Sequence, residues 1–234
     1  MILYIIIFIS LLLFILACSL LKTRYKLHLL EKITKNVHQT WKNYQLPPDF
    51  IRYQNTIFKY MNDYKYFFWT DETLDLLIKN DFPELYEFWI SLSPKIKQID
   101  MAKYLIVYKH GGFFIDFDME IFKDPTPLIT SSVVIGSPAI FYSTPNHSFW
   151  LEVIDYIKNN KDRDVLNATG PYALKRCQKK SKHKRDIIFL EEKIFFPIDY
   201  DNKDEDSCVN SLCKDKYISN SYGAHHYAGT WIKK

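Results

Sequence analysis

Short apolar runs alternating with helix-length stretches predict an α/β domain on a mainly parallel sheet, preceded by an apolar N-terminal helix. Three observations carry this expectation. Strand-like segments are separated by helical ones, the order of repeated βαβ units. Pro47–Pro48, Gly111–Gly112 and Gly170–Pro171 punctuate them. Ahead of them stands the uncharged apolar stretch Ile2–Leu21. In such a sheet, ligands bind beyond the carboxyl ends of the strands.

The elements follow in order. Lys35–Gln39 reads as a short strand and Asp49–Asn62 as a helix whose start is fixed by Pro47–Pro48. Tyr66–Trp69 is a second strand. Asp71–Asn80, with Asp71 as N-cap, and Phe82–Ser91 are helices. Ile96–Tyr108 reads as an amphipathic helix carrying Asp100, Lys103 and Tyr104. Phe113–Asp116 and Ser132–Gly136 are strands, and His147–Asn159 and Gly170–Gln178 helices, the latter with Pro171 in its first turn. Strands near Ile187–Leu190 and Lys193–Pro197 follow, then a polar tail from Tyr200 to Ser221 with Asp201, Asp204, Glu205 and Asp206. There is no internal repeat.

Only Ser10, Cys18 and Ser19 interrupt the run from Ile2 to Leu21. A helix of that length rises about 30 Å, enough to cross a bilayer. A cleaved signal peptide has a shorter apolar stretch and a basic start, and a lipoprotein signal ending at Ala17–Cys18 wants that basic start too. The chain thus divides into a transmembrane anchor at 1–21, a juxtamembrane linker at 22–34 and one domain at 35–234. Lys22, Arg24, Lys26, Lys32 and Lys35 follow the anchor, which by the positive-inside rule keeps the domain cytoplasmic.

Of 234 residues, about 210 remain beyond the anchor, room for a single core. Aromatic residues, 17% of the chain, suffice to fill that core. The net charge of +4 is spread among 27 acids. The one basic run, Gln178–Arg185, lacks interleaved aromatics, so it reads as a solvated loop and not as a nucleic-acid surface. Cys208–Cys213 is equally compatible with a small disulfide loop and with free thiols, and too few soft ligands lie nearby for zinc. Asn146–His147–Ser148 and Asn167–Ala168–Thr169 are glycosylation sequons, meaningful only in a lumenal domain.

The most informative stretch runs from Tyr104 through Gly111–Gly112 to Ile115–Asp116–Phe117–Asp118. Read as the end of a strand, Asp116 and Asp118 share one face and Phe117 points away. Two carboxylates so placed repel unless a cation lies between them, and Mn²⁺ or Mg²⁺ suits oxygen ligands and a diphosphate.

Asp100–Met101–Ala102–Lys103–Tyr104 followed by Gly111–Gly112–Phe113–Phe114–Ile115–Asp116–Phe117–Asp118 resembles the core of glycosyltransferase family 32. Lys103 stands where the family has Arg, and Phe114 where it has Tyr. Val37–His38–Gln39–Thr40–Trp41, Trp69–Thr70–Asp71, Thr169–Gly170–Pro171 and His225–His226–Tyr227–Ala228–Gly229–Thr230–Trp231 resemble further family elements in the same order. The resemblance implies a GT-A-type, Rossmann-like domain that moves a hexose, with retention, from a UDP- or GDP-hexose to a glycan, lipid or protein acceptor, with Mn²⁺ or Mg²⁺ as cofactor. It implies Asp116, Asp118 and His225 at the metal, and Asp100 and Lys103 at the sugar and diphosphate. His38, Trp41, Tyr104, Gly112, Thr230 and Trp231 would line the donor site, Trp41 against the base. Lysine supplies charge without the planar fork of arginine, and an ordinary Asp100–Lys103 ion pair is the rival reading. Golgi members of the family face the lumen, so a Golgi- or ER-like membrane is implied with the side left open.

Two other classes compete: a non-catalytic, membrane-tethered binding relative, which Lys103 and the short chain favour, and a metal-dependent phosphohydrolase. The second lacks a nucleophilic Asp in an early strand.

Overall fold

A computed structural model describes residues 2–31, 33–198, 200 and 217–230. The chain divides into two compact units, Met1–Ile33 and Thr34–Lys234. The first is one helix, α1 (Ile2–Glu31), which continues through residues 22–31 where the sequence suggests a linker. Its described side chains from Leu11 to Leu21 are exposed apolar groups apart from half-buried Cys18 and polar Ser19. Among the described residues no helix is long and apolar enough to cross a membrane.

The second unit is built on six strands in the order β2-β1-β3-β6-β5-β7. They are β1 (Asn36–Thr40), β2 (Lys65–Trp69), β3 (Gly112–Ile115), β5 (Val133–Ser137), β6 (Ile140–Ser143) and β7 (Ile187–Phe189). β1 pairs in parallel with β2 and β3, and β5 with β7; only β6 runs against its neighbours. The expected mainly parallel sheet is present. From β1 the chain crosses through α2 (Pro48–Tyr60) to β2 on one side. It then returns past β1 through α3 (Asp71–Asp81), α4 (Pro83–Ser91) and α5 (Lys95–His110) to β3 on the other. Right-handed crossovers in opposite directions place α2 and α3–α5 on opposite faces and open a crevice at the carboxyl ends of β1 and β3.

Alternation across the pleat divides the core accordingly. Phe114, Phe141, Val133 and Ile135 join one cluster with α3, α4, α5, α6 (Phe149–Asn160) and α8 (Pro171–Lys180). Phe113 and Tyr142 turn to the other face, toward the ring of Tyr64. Two glycines set the α5–β3 junction. Gly111 ends α5 at φ +61°, and Gly112 at φ +95° lies so close to β1 that a Cβ would come within 2.3 Å of the Asn36 carbonyl oxygen. Only glycine adopts that conformation without strain.

Several expectations need correction. α5 is not amphipathic: every residue from Asp100 to Val107 is buried, because the helix runs through the middle of the core. The N-cap of α3 is Thr70, whose hydroxyl accepts from the Thr73 amide; Asp71 sits in the first turn. Lys193–Pro197 is no strand, its Glu192–Ile194 segment being a 3₁₀ turn. β6, the short helix α7 (Val165–Ala168) and a two-stranded antiparallel ribbon of β4 (Met119–Ile121) with β8 (Gly223–His225) were not foreseen. The acidic tail residues and Cys208–Cys213 lie outside the described residues.

Candidate active site

Asp116, Phe117 and Asp118 occupy the turn between β3 and β4, closed by the Met119 amide donating to the Asp116 carbonyl at 3.1 Å. They do not lie on the strand itself. This changes their relation: the two carboxylates leave the turn toward different partners. Both lie beyond the carboxyl end of β3, where the topology opens the crevice.

Asp116 faces inward. Its carboxylate takes the ammonium of Lys103, 2.9 Å from Oδ1 and 3.2 Å from Oδ2. The same Nζ lies 3.3 Å from Asp100, and the Thr169 hydroxyl donates to Asp100 Oδ2 at 2.8 Å. Asp100 and Lys103 are 4% exposed, so this is an interior charge cluster and not a surface pair. The rival ion pair and the expected contact to the Asp-x-Asp turn therefore coexist in one network. Burial alone would lower the Lys103 pKa, but Asp116 and then Asp100 outweigh it and hold it raised. Burial raises Asp100 and Asp116, only partly opposed by Lys103. The backbone of the turn is held too. The Asp116 amide donates to the Ala139 carbonyl at 2.7 Å. Buried Gln39 reaches the Asp116 carbonyl at 3.4 Å, braced by Tyr66, itself held by Gln54.

Asp118 faces the ribbon. Pairing of Met119 with His225 across β4 and β8 brings His225 Nε2 to 3.2 Å from Asp118 Oδ2, which also accepts from the Ala228 amide at 3.1 Å. Burial would raise the Asp118 pKa, but His225 and the amide outweigh it, and the carboxyl lies below the usual range. The other ring nitrogen of His225, Nδ1, is buried and has no hydrogen-bond partner among the described residues. Next along the ribbon, His226 lies 3.0 Å from Glu120 and stacks on Tyr53 at 4.1 Å. Its amide donates to the Asp118 carbonyl at 2.8 Å.

Asp118 and His225 fit a divalent cation. Two ligands of one ion at about 2.1 Å and right angles stand about 3 Å apart, close to the separation seen. Asp116, committed to Lys103, is the less available carboxylate.

The remaining sequence-derived residues separate into two groups. His38, Tyr104 and Gly112 are buried scaffold. His38 Nδ1 accepts from the Trp69 indole at 3.2 Å, so its Nε2 carries the proton that goes to the Gly111 carbonyl at 2.9 Å. Burial lowers its pKa to about 4. Tyr104 stacks on Trp150 and donates to the Thr169 carbonyl. Trp41 and Thr230 are accessible: Trp41 is half-buried edge-on to Phe50 at 5.0 Å, and Thr230 is exposed. Trp231 lies outside the described residues. Gln39, Thr169, Glu120 and His226 were not singled out as functional, since only tertiary pairing shows what they hold.

The family described as a glycosyltransferase sugar-binding region containing a DXD motif matches residues 27–135. Mannosyl phosphorylinositol ceramide synthase CSH1 of Saccharomyces cerevisiae is 30% identical over 152 residues, 59% of this chain and 40% of that protein. Inositol phosphoceramide mannosyltransferase 3 of Schizosaccharomyces pombe is 30% identical over 148 residues, 60% of this chain and 40% of that protein. The chain thus spans well under half the length of these two relatives. An uncharacterized glycosyltransferase of Acanthamoeba polyphaga mimivirus is 24% identical over 208 residues, 79% of this chain and 80% of that one. Among solved structures, PaToxG glycosyltransferase superposes with a TM-score of 0.52 at 13% identity, covering 68% of this chain and 76% of that one. At such identity the likeness is one of fold, and it agrees with the expected GT-A architecture.

Proposed function

We propose, from the premise that the chain belongs through residues 27–135 to the DXD-containing glycosyltransferases, that it is a membrane-anchored, metal-dependent hexosyltransferase. It moves the sugar of a UDP- or GDP-hexose to an acceptor with retention of configuration. The names of its relatives make mannose the first hexose to test and an inositol phosphoceramide the first acceptor.

One observation carries the reading: Asp118 Oδ2 and His225 Nε2, brought to 3.2 Å beyond the carboxyl end of β3. Asp118 and His225 would hold Mn²⁺ or Mg²⁺, whose chemistry is to neutralise charge on a departing diphosphate. Lys103 keeps Asp116 ionised and fixes its direction, and Asp100, tied to Thr169, fixes Lys103. Trp41 offers an accessible aromatic edge for the base, and Thr230 an exposed hydroxyl at the phosphate end. The anchor rests on the sequence alone, on the uncharged run from Ile2 to Leu21.

The full chain in detergent, given a panel of nucleotide-sugars with Mn²⁺, should hydrolyse or transfer one donor preferentially, and excess chelator should stop it. Turnover unaffected by chelator would sink metal dependence. The second reading, a binding relative without catalysis, is favoured by Lys103 being fully engaged between two carboxylates. Donor binding with no turnover in that panel would establish it.

A further inference from the structure

His147, His183 and Asp186 lie where the parallel strands begin, at the opposite end of the sheet from the Asp-x-Asp turn. β6 runs against the other strands, so its carboxyl end at Ser143 pairs with Gly112 and Val133, the first residues of β3 and β5. His147 follows it. Asp186 immediately precedes β7, whose first residue Ile187 also pairs with Val133.

We infer that these three side chains form a second metal site, of the zinc class, independent of the donor site. One ligand atom from each residue lies within 4.8 Å of the other two. The two imidazoles stand 5.4 Å apart between ring centres and are inclined by 71°, edge to face and not stacked. The Asp186 amide donates to the His183 carbonyl at 2.8 Å, closing a short turn that presents both side chains to His147. The His147 ring keeps a weak contact, Nδ1 accepting from the Phe149 amide at 3.4 Å. A ligating ion would replace so long a hydrogen bond at small cost.

Donor chemistry selects the ion. Two imidazoles and one carboxylate suit zinc, with water in the fourth position, and are poor for Mg²⁺ or Ca²⁺, which want more oxygens. Lys182, Lys184 and Arg185 flank the site but are exposed, so their repulsion is screened within about 8 Å at physiological salt. His183 belongs to the basic run that the sequence assigns to a solvated loop. Once bound, the ion would pin the loop leading into α6 to the turn between α8 and β7. α6 carries Trp150, which stacks on Tyr104 of the charge-bearing α5.

The test uses the full chain in detergent carrying Asp118→Asn and His225→Asn, so that the donor site contributes no ligands. Equilibrium dialysis against Zn²⁺ should find one equivalent bound, and Zn²⁺ should raise the melting temperature. Adding His183→Ala should weaken binding about tenfold or more, by loss of a direct ligand, and abolish the melting shift. Asp186→Asn, at an exposed position that leaves the fold alone, should weaken it less. His183→Cys, which offers another zinc ligand, should restore it. Zinc binding unchanged in both the His183→Ala and Asp186→Asn proteins, or no binding by the parent, overturns the site. Because the donor site is already disabled, neither result depends on whether the chain transfers sugar.

Discussion

The two halves of the Asp-x-Asp turn are built differently. Asp116, with a side chain 26% exposed, is tied through Lys103 to Asp100 in the core, so its charge is already paired. Asp118, with a side chain 16% exposed, belongs to a two-stranded ribbon and faces only a histidine, His225, and the Ala228 amide among the described residues. On the function proposed above, the Asp116 half is scaffold and the Asp118 half would hold the cation. Substitutions on the first side should therefore appear mainly in stability, and on the second mainly in activity.

The strongest way to break that contrast is Lys103→Ala. It removes the cation between buried Asp100 and partly exposed Asp116, and leaving a buried charge without its partner costs about 3–5 kcal/mol. A substantial loss in denaturant midpoint is expected, with an unchanged slope. Lys103→Arg should retain most of the stability, since it keeps the charge. A near-wild-type midpoint for the alanine variant would mean that Lys103 faces the donor more than the core.

A second expected effect, of about 3 kcal/mol, concerns His38 and pH. The neutral ring bridges Trp69 and Gly111, with its pKa lowered from 6.5 to about 4. The unfolded chain binds the proton more readily, so the stability this residue contributes is complete above pH 6.5. It is lost as pH falls toward 4. Asp100 and Asp116, with raised pKa values, pull the other way by taking up protons in the folded state. The readout is therefore the difference between wild type and His38→Gln, melted across pH 4 to 6.5. The glutamine variant should lose less stability on acidification, and parallel curves would refute the assignment.

Thr169→Val sharpens the description of the Asp116 half. It deletes the hydroxyl that donates to the Asp100 carboxylate at 2.8 Å while keeping the backbone carbonyl that holds Tyr104. A hydrogen bond to a buried charge is worth about 1.5–3 kcal/mol, so a loss of about 2 kcal/mol is expected in chemical denaturation. A neutral result would mean that Lys103 alone satisfies Asp100.

The same contrast explains what could be read in the sequence. β1, β2, β3 and the placement of the Asp-x-Asp turn follow from apolar runs, Gly111–Gly112 and the rule that ligands gather at carboxyl strand ends. α5 was misjudged because Asp100 and Lys103 look like one polar face, whereas their charges cancel inside the core. The Asp118 half was nearly invisible. β4 and β8 are three residues each and lie about a hundred positions apart, too short for any periodicity to mark. His225 came from the resemblance alone, and Gln39 and Thr169 acquire roles only when distant segments meet. Lys193–Pro197 has the apolar content of a strand, but the chain closes there into a 3₁₀ turn.

The smallest expected change in stability accompanies the largest in chemistry, and it belongs to Asp118→Asn. Asparagine keeps an oxygen for the Ala228 amide, at 3.1 Å, and the volume of the side chain, so the turn should hold. What goes is the charge facing His225 at 3.2 Å. That charge is favoured by its surroundings, but the amide acceptor is kept and a single charge-assisted hydrogen bond is weakened, so the cost should be about 1 kcal/mol. Donor turnover should nevertheless fall to background, because the cation site loses its principal carboxylate. Asp116→Asn makes the complementary case: it leaves Lys103 with one carboxylate in the core and should melt measurably earlier than Asp118→Asn. If the two variants show equal stability and equal loss of turnover, the division of the turn into scaffold and site fails, and both carboxylates act on the donor together.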